Sequence, residues 1–584
     1  MHKKVLVSVA WPYVNGDIHV GHLSGYLLPA DIFARYHRLR GDDVLMVSGS
    51  DCHGTPITVE ADKQGLTPDQ VVDKYHPNDV KLFKQYGFDY NLYTKTTTAT
   101  HKRVTHEVFL DLLKNDFIVV DKMEQYYSPD DDAFLPDRYV EGVCPHCNAK
   151  DQRSDQCENC GRWLSDGELI DPVSKLTGNK VVLKETEHYF LDFEKLQSEL
   201  RKFLDKNEGE WRNWVWKEAD GWLREGLRKR AITRDMDWAI ELPIDEIKKL
   251  PKEKQLNDFA GKKIYVWFEA VIGYLSAAQE WSESTGSEEK YTNDSGIVYR
   301  KTEDQSSDWK EWWLDSSSEH YYFMGQDNLV FHTLMWPGQL IGSQKGYTLP
   351  KNVFVNKFMN YEGKKFSKSR NWTIDSAKIA EKYGVDVVRY YIAANLPENK
   401  EANFTWEGFV DSVNNELVAN LGNLINRTLK FFESKYNGEI SLSDYEIDSN
   451  LQKEIDAAYR QAALLIEKGE IVNGLESIMK LARQGNKFFD ENEIWQVIKT
   501  DKEKADQIMM DLLNLIINLA TLMRPYLPFA ATELHKMIVG DETDVQVDTD
   551  IWQSRYAQEF SLKSEVKILF QKLDREKVLE EREN

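Results

Sequence analysis

From Val5 to Ala10 the chain is apolar but for Ser8, with Val at 5, 7 and 9, the pattern of a strand covered on both faces. Asn15-Gly16 then turns the chain, and His19 to Arg40 carries helical periodicity. Asp43 to Val47 predicts a second strand, followed by a polar loop with Asp51, His53 and Gly54. Strand, helix, strand in this order opens a doubly wound α/β sheet of the nucleotide-binding kind. Residues 126–180 have little periodicity and are rich in Asp, Gly, Pro and Cys, which predicts an inserted knuckle. Residues 186–230 read as helical and carry four tryptophans. Strand patterns return at Lys263–Trp267 and His320–Met324, while the polar stretch 285–310 predicts an exposed loop. From about Val410 to Val539 the period is that of long amphipathic helices, a bundle. The last forty-odd residues predict a strand or tail ending in a charged helix. There is no internal repeat and no low-complexity segment.

Composition narrows this picture. A length of 584 residues corresponds to about four domain-sized units. Hydrophobic residues at 41% and charged residues at 29% exclude a disordered, collagen-like or disulfide-scaffold chain. With 74 basic and 97 acidic residues the net charge is −23, which argues against indiscriminate coating of nucleic acid or anionic membrane. It leaves room for a local basic patch. The apolar run before Pro12 is too short for a signal-peptide core. Leu512–Met523 is interrupted by Asn514 and Asn518 and predicts a buried helix instead of a membrane span. The expectation is a cytoplasmic protein.

Three clusters carry chemistry. Cys144-Pro-His-Cys147 and Cys157-Glu-Asn-Cys160 are two CxxC pairs nine residues apart, the spacing of a four-sulfur structural zinc site with no open position. Asp17-Ile18-His19-Val20-Gly21-His22 lies where the first helix begins, and free N–H groups and the dipole at a helix start attract phosphate. There Gly21 permits close approach, and His19 and His22 can donate to a phosphate as charge develops. Gly363-Lys364-Lys365-Phe366-Ser367-Lys368-Ser369-Arg370 alternates small and basic residues behind a glycine hinge, suited to drawing off pyrophosphate charge.

Together, His19-Val-Gly-His22 and Lys365-Phe-Ser-Lys-Ser369 resemble the HIGH and KMSKS signatures of class I aminoacyl-tRNA synthetases. Phe stands where the second usually has Met. Ala10-Trp-Pro-Tyr-Val-Asn-Gly16, Asp51-Cys-His-Gly-Thr55, Phe134-Leu-Pro-Asp-Arg-Tyr-Val140, Thr233-Arg-Asp235, Tyr265-Val-Trp-Phe-Glu-Ala270 and Phe323-Met-Gly-Gln-Asp327 narrow the resemblance to methionyl-tRNA synthetases, from Val5 to about Leu569. The chain has no room for the large editing insertion of the valine, isoleucine and leucine enzymes.

The resemblance implies a Rossmann-like α/β catalytic domain with an inserted zinc-knuckle connective domain, followed by an all-α anticodon-binding bundle. Its divisions are 1–115 and 231–348 for the catalytic halves, 116–230 for the insertion, 349–407 for a stem-contact region, 408–545 for the bundle and 546–584 for the tail. It implies a ligase using methionine, ATP and both initiator and elongator tRNA(Met), one structural Zn2+, and Mg2+ with ATP. The chain is expected to be a monomer without membrane or DNA partners. By position, Ala10, Trp11, Tyr13, Asp51, Trp267, Ala270, Tyr274, Asn328 and His332 border methionine. Many family members have Leu where Trp11 stands. His19, Gly21, His22, Gly325, Asp327, Lys365, Ser367 and Lys368 bind ATP, with His19, His22, Lys365, Lys368 and Arg234 catalytic. Cys144, Cys147, Cys157 and Cys160 hold the metal, and Asn423, Arg427 and Trp495 meet the anticodon. Ile494 stands where the family usually has Pro. Arg224, Arg228, Lys229, Arg230 and Arg234 form a local basic cluster, which with the 364–370 loop and Arg427 would supply attraction for tRNA.

Overall fold

The structure is a computed structural model. It describes residues 3–130, 132–135, 139–154, 157, 159–160, 164, 167–175, 177–284, 290–292, 297–299, 308–367, 372–540 and 552–582, the backbone alone at 133, 290–292 and 297–299. Lys368, Ser369 and Arg370 of the basic motif, and Pro136, Asp137 and Arg138 of the segment before the knuckle, lie outside the described residues.

Strand β1 (Lys4–Val9) is buried and central. It pairs in parallel with β2 (Asp43–Ser50) on one side, Val5 opposite Val44. Strand β3 (Leu92–Lys95) continues the sheet in parallel beyond β2. The segment expected to be an exposed loop at 285–310 instead holds two short antiparallel strands, β4 (Lys290–Thr292) and β5 (Ile297–Tyr299), and β5 pairs with β3 at the sheet edge. On the other side of β1 lie β6 (Glu319–Gly325), Val5 opposite Glu319, and β7 (Asn352–Asn356), both parallel. The spatial order is β4-β5-β3-β2-β1-β6-β7. The order therefore reverses between β1 and β6, and a crevice opens beyond the carboxyl ends of these strands.

The first helical stretch is continuous but not regular. A short α1 (Val20–His22) passes through a π-helical turn (Leu23–Leu27) into α2 (Leu28–Leu39). Helices α3 (Thr55–Gln64), α4 (Pro68–Tyr86) and α5 (Ala99–Lys114) follow.

The insertion rests on a long antiparallel pair, Ile118–Ser128 with Val182–Leu191, in register from Ile118–Leu191 to Tyr127–Val182. Residues 186–191, read as helical, are thus strand; the helices begin at α6 (Phe193–Lys206) and continue in α7 (Asn213–Glu225). Between the two long strands a three-stranded sheet (Val140–Val143, Gln152–Arg153, Ile170–Ser174) carries the cysteines. The expected strand 263–267 is also shorter. It covers Lys262–Ile264, and Trp267 lies on the helical turn Val266–Glu269 ahead of α8 (Gly273–Glu283).

Helix α9 (Val385–Ala394) leads into the bundle of α10 (Asn423–Tyr436), α11 (Ser449–Glu467), α12 (Ile471–Glu491), α13 (Lys502–Met523) and α14 (Pro528–Ile538). α13 is the one described helix long and apolar enough to cross a bilayer, and most of it is buried inside the bundle. Its Asn514 and Asn518 are buried, and their side chains bond backbone of the tail at Ala557 and Arg555. That tail contains a short strand, Glu559–Ser561, and ends in the charged helix Arg575–Leu579.

Candidate active site and anticodon interface

The two signatures lie against each other. His19 caps the first helix: its Nδ1 accepts from the Gly21 N–H at 3.1 Å, while the His19 N–H donates to His22 Nδ1 at 3.1 Å. This reciprocal capping satisfies donors that a helix start leaves open. Gly21 is required, since a Cβ there would sit 2.8 Å from the His19 ring and 3.2 Å from Phe366.

The basic segment is a hairpin and not a free loop. Met359–Tyr361 pairs with Lys364–Lys365 across Glu362 and Gly363, both at positive φ. Lys365 is exposed. Phe366 stacks on the His19 ring at 4.9 Å and 7°. Ser367 and Trp372 exchange two backbone hydrogen bonds of 3.0 Å, which closes the neck of the loop. The Val20 N–H donates to the Ile374 carbonyl at 3.2 Å, and His19 bridges Asp375. A cleft of about 670 Å3 opens beside His19, walled by Asp17, Glu60, Lys63 and Lys378 and by Arg153 and Lys175 of the insertion.

The expected methionine residues converge at the carboxyl ends of β1, β2 and β6. Ala10 donates its N–H to the Phe323 carbonyl at 2.9 Å, and Tyr13 bridges Asp51. Trp11 fits between two glycines: a Cβ at Gly49 would lie 2.3 Å, and at Gly273 2.8 Å, from its ring. Trp267 stacks on Phe331 at 4.5 Å and meets Tyr13 edge-on at 6.1 Å. Ala270 follows on the same turn. The Tyr274 hydroxyl lies 2.7 Å from His332 Nε2, and His332 Nδ1 lies 2.9 Å from the Asn328 carbonyl. That carbonyl can only accept, so Nδ1 carries the proton and Nε2 accepts from the tyrosine. Burial lowers His332 to about 4, in keeping with this neutral ring. Burial, and then the negative charge of Glu269, push the Asp51 carboxyl well above its usual value. A ligand ammonium would relieve both.

Gly325 closes β6, and a Cβ there would meet Asp327 Oδ1 at 2.7 Å. Asp327 is open to solvent yet surrounded by protein, which raises its carboxyl. Arg234 turns inward. Its Nη1 donates to the Ala231 and Thr233 carbonyls, and its guanidinium lies 4.5 Å from the Tyr265 ring. The basic cluster around it is partly neutralised, Arg224 by Asp220 and Lys229 by Asp121.

Sequence reasoning missed Glu269, His53 and His101. The fully buried Glu269 carboxylate takes His53 Nδ1 at 2.9 Å on one oxygen and His101 Nε2 at 2.5 Å on the other. Burial acts to raise this carboxyl, but the charges of His101 and His53 prevail and hold it at about 2.

The four cysteine sulfurs lie within 4.8 Å of one another, with Cys147–Cys157 at 3.5 Å and Cys144–Cys160 at 4.0 Å. Sulfurs about 2.3 Å from a central ion would stand roughly 3.8 Å apart, so the donors fit one tetrahedral metal. In the bundle, Arg427 donates to Asp490 at 2.8 Å and to the Asn486 carbonyl at 2.6 Å, and lies 4.1 Å over the Phe489 ring. Trp495 stacks on the same ring at 5.7 Å. Asn423 reaches Asn486 at 3.4 Å on the same exposed face. Ile494, in place of the usual proline, is buried and anchors this turn.

Fold and site define a doubly wound α/β protein of the nucleotide-binding kind, with a capped helix start at its crevice and a helical bundle appended. A family model described as tRNA synthetases class I (M) matches residues 5–429, and one described as the anticodon binding domain of methionyl tRNA ligase matches 441–583. The methionine–tRNA ligase of Roseiflexus sp. (strain RS-1) is 42% identical over 92% of this chain and 87% of its own length. That of Chloroherpeton thalassium is 37% identical over 98% of this chain and 79% of its own. A Mycobacterium tuberculosis methionyl-tRNA synthetase bound by methionyl-adenylate shares the fold, with a TM-score of 0.75 at 21% identity, covering 97% of this chain and all of that one. The chain belongs to the methionine family of class I tRNA synthetases.

Proposed function

We propose how this chain carries out the methionine–tRNA ligase activity of its family. Methionine enters with its ammonium on Asp51 and its thioether between Trp11, Tyr13, Trp267, Ala270, Tyr274 and His332, beside Asn328 and Ala10. Aromatic walls and a neutral histidine suit a long, polarizable, uncharged side chain. ATP lies across the crevice, its adenosine on Gly325 and Asp327 and its phosphates on Gly21 and the helix start. The methionine carboxylate oxygen attacks the α-phosphorus, the bond to the β-phosphate oxygen breaks, and pyrophosphate leaves. His22 and His19 donate to the phosphate, and Lys365, Ser367 and Lys368 draw off the leaving charge. Arg234 assists once released from its own carbonyls. Mg2+ accompanies ATP and offsets phosphate charge. A hydroxyl of the tRNA's terminal adenosine, the 2′-hydroxyl in most of the class, then attacks the acyl carbonyl and AMP departs.

Cys144, Cys147, Cys157 and Cys160 hold a structural zinc that braces the insertion and takes no part in the reaction. Asn423, Arg427 and Trp495 read the anticodon of initiator and elongator tRNA(Met) by edge bonds and stacking. The enzyme acts as a cytoplasmic monomer, with domains divided at the boundaries given above.

The observation that carries the reading is the stacking of Phe366 on His19, which brings the two signatures together at one helix start. The test is methionine-dependent pyrophosphate exchange. Lys365→Ala and Lys368→Ala are each expected to lower its rate about 10²-fold; exchange driven equally by another amino acid, or unchanged by both substitutions, overturns the reading.

A further inference from the structure

Glu269 belongs to the same short turn as Trp267 and directly precedes Ala270. His53 stands two residues beyond Asp51, and its N–H points to Asp51 Oδ1 at 3.4 Å. His101 is on α5, a third element. One fully buried carboxylate therefore ties the end of β2, helix α5 and the Trp267 turn together. Ser276 lies 2.8 Å from His101 Nδ1 and 3.1 Å from the Gly273 carbonyl, and His101 Nε2 donates to the Glu269 carboxylate. Ser276 and Gly273 lie on α8, the helix that packs its glycine on Trp11. The Glu269–His101 pair thus reaches the Asp51 end, the Trp267 turn and the Trp11 side of the amino-acid site.

A buried ion pair is a poor source of stability, because desolvation offsets its attraction. Its use here is geometric. It sets Asp51 and the aromatic wall in one fixed relation. We propose that Glu269, held between His53 and His101, is a positioning residue for the amino-acid substrate: it sets the ammonium-binding carboxylate of Asp51 against the side-chain pocket of Trp267. This rests on the reading above that Asp51 and Trp267 receive methionine.

The test compares Glu269→Gln, the charge-neutral double variant Glu269→Gln/His101→Gln and Asp51→Asn in methionine-dependent pyrophosphate exchange. KM for methionine and for ATP are measured separately, with thermal midpoints alongside. The double variant removes the carboxylate together with its nearest histidine partner and stays measurable should Glu269→Gln alone fail to fold. The expected result is a methionine KM raised about tenfold or more in both Glu269 variants, with the ATP KM within about twofold. Glu269→Asp, which keeps the charge but shortens the reach, recovers only part of the loss. A methionine KM unchanged in the double variant, or an equal rise for ATP, overturns the proposal while leaving the site reading intact. An unchanged methionine KM in Asp51→Asn overturns the site reading itself.

Discussion

The charge state of one pocket wall depends on a single hydroxyl. Tyr274 occupies His332 Nε2 and the Asn328 carbonyl occupies Nδ1–H, so the ring has no vacant position for a second proton. A different buried acid behaves in the opposite sense. Glu280 accepts from Thr94 at 2.9 and 3.0 Å and from Thr98 at 3.3 Å, yet burial raises its carboxyl from 4.5 to about 7. Between these values the folded chain holds a proton that the unfolded chain has released. Stability contributed by the neutral acid is therefore complete below pH 4.5 and is lost as pH rises through 7. Glu280→Gln is expected to flatten that decline, by up to about 3 kcal/mol, in denaturant titrations run across the interval. An unchanged slope would show that another group sets it.

At the scale of elements, the cysteine insertion depends most on a ligand. Among the described residues its buried cluster has nine members, Cys144 and Cys157 among them, a small core of the kind that a metal staple supports. Chelation, or Cys147→Ser, is expected to release one metal per chain and to raise protease cleavage between Val140 and Ser174, with the central sheet intact by circular dichroism. Retained metal in Cys147→Ser would remove that cysteine from the ligand set.

The same scale shows what could be read beforehand. β1 was legible because a strand covered on both faces is apolar almost throughout, Ser8 being its one polar residue between Val5 and Ala10, and the knuckle because CxxC spacing is local. The strand Val182–Leu191 was not, since Lys184-Glu-Thr-Glu-His-Tyr189 is almost wholly polar and lacks the alternation that marks a half-buried strand. The π turn at Leu23–Leu27 leaves no mark in an apolar segment. Trp267 was placed on a strand and lies on a helical turn, because motif spacing does not report backbone angles. Glu269 is one acidic residue in an apolar stretch, and its partners stand 168 and 216 positions away. No local pattern can announce such a contact.

Across the whole molecule, the catalytic sheet and the bundle are joined by buried charge. Arg389 on α9 binds Asp31 on α2 at 2.7 Å and donates to the Tyr526, Pro525 and Tyr86 carbonyls. Arg35 holds the same Asp31 oxygen at 3.0 Å. Helix α2 continues the helical stretch that begins at His19, so Arg389 ties the loop between α13 and α14 to the body of that stretch. Arg389→Met leaves three carbonyls without this donor and is expected to cost about 3 kcal/mol or more. Calorimetry should then show the bundle unfolding ahead of the catalytic domain; a single transition at the original midpoint would mean the two are held together elsewhere. The net charge of −23 takes on a definite meaning at this scale. Even Arg427 is paired with Asp490, so on the proposed reading a tRNA that takes Arg427 must displace an acidic side chain.

The first helix start is already capped. His19 and His22 saturate its first donors, and Phe366 roofs them. On the proposed reading, a nucleotide arriving there replaces bonds that already exist, and its hold equals only the difference between the two sets. Grip is then traded for turnover: pyrophosphate leaves as side chains of the protein reclaim their own positions.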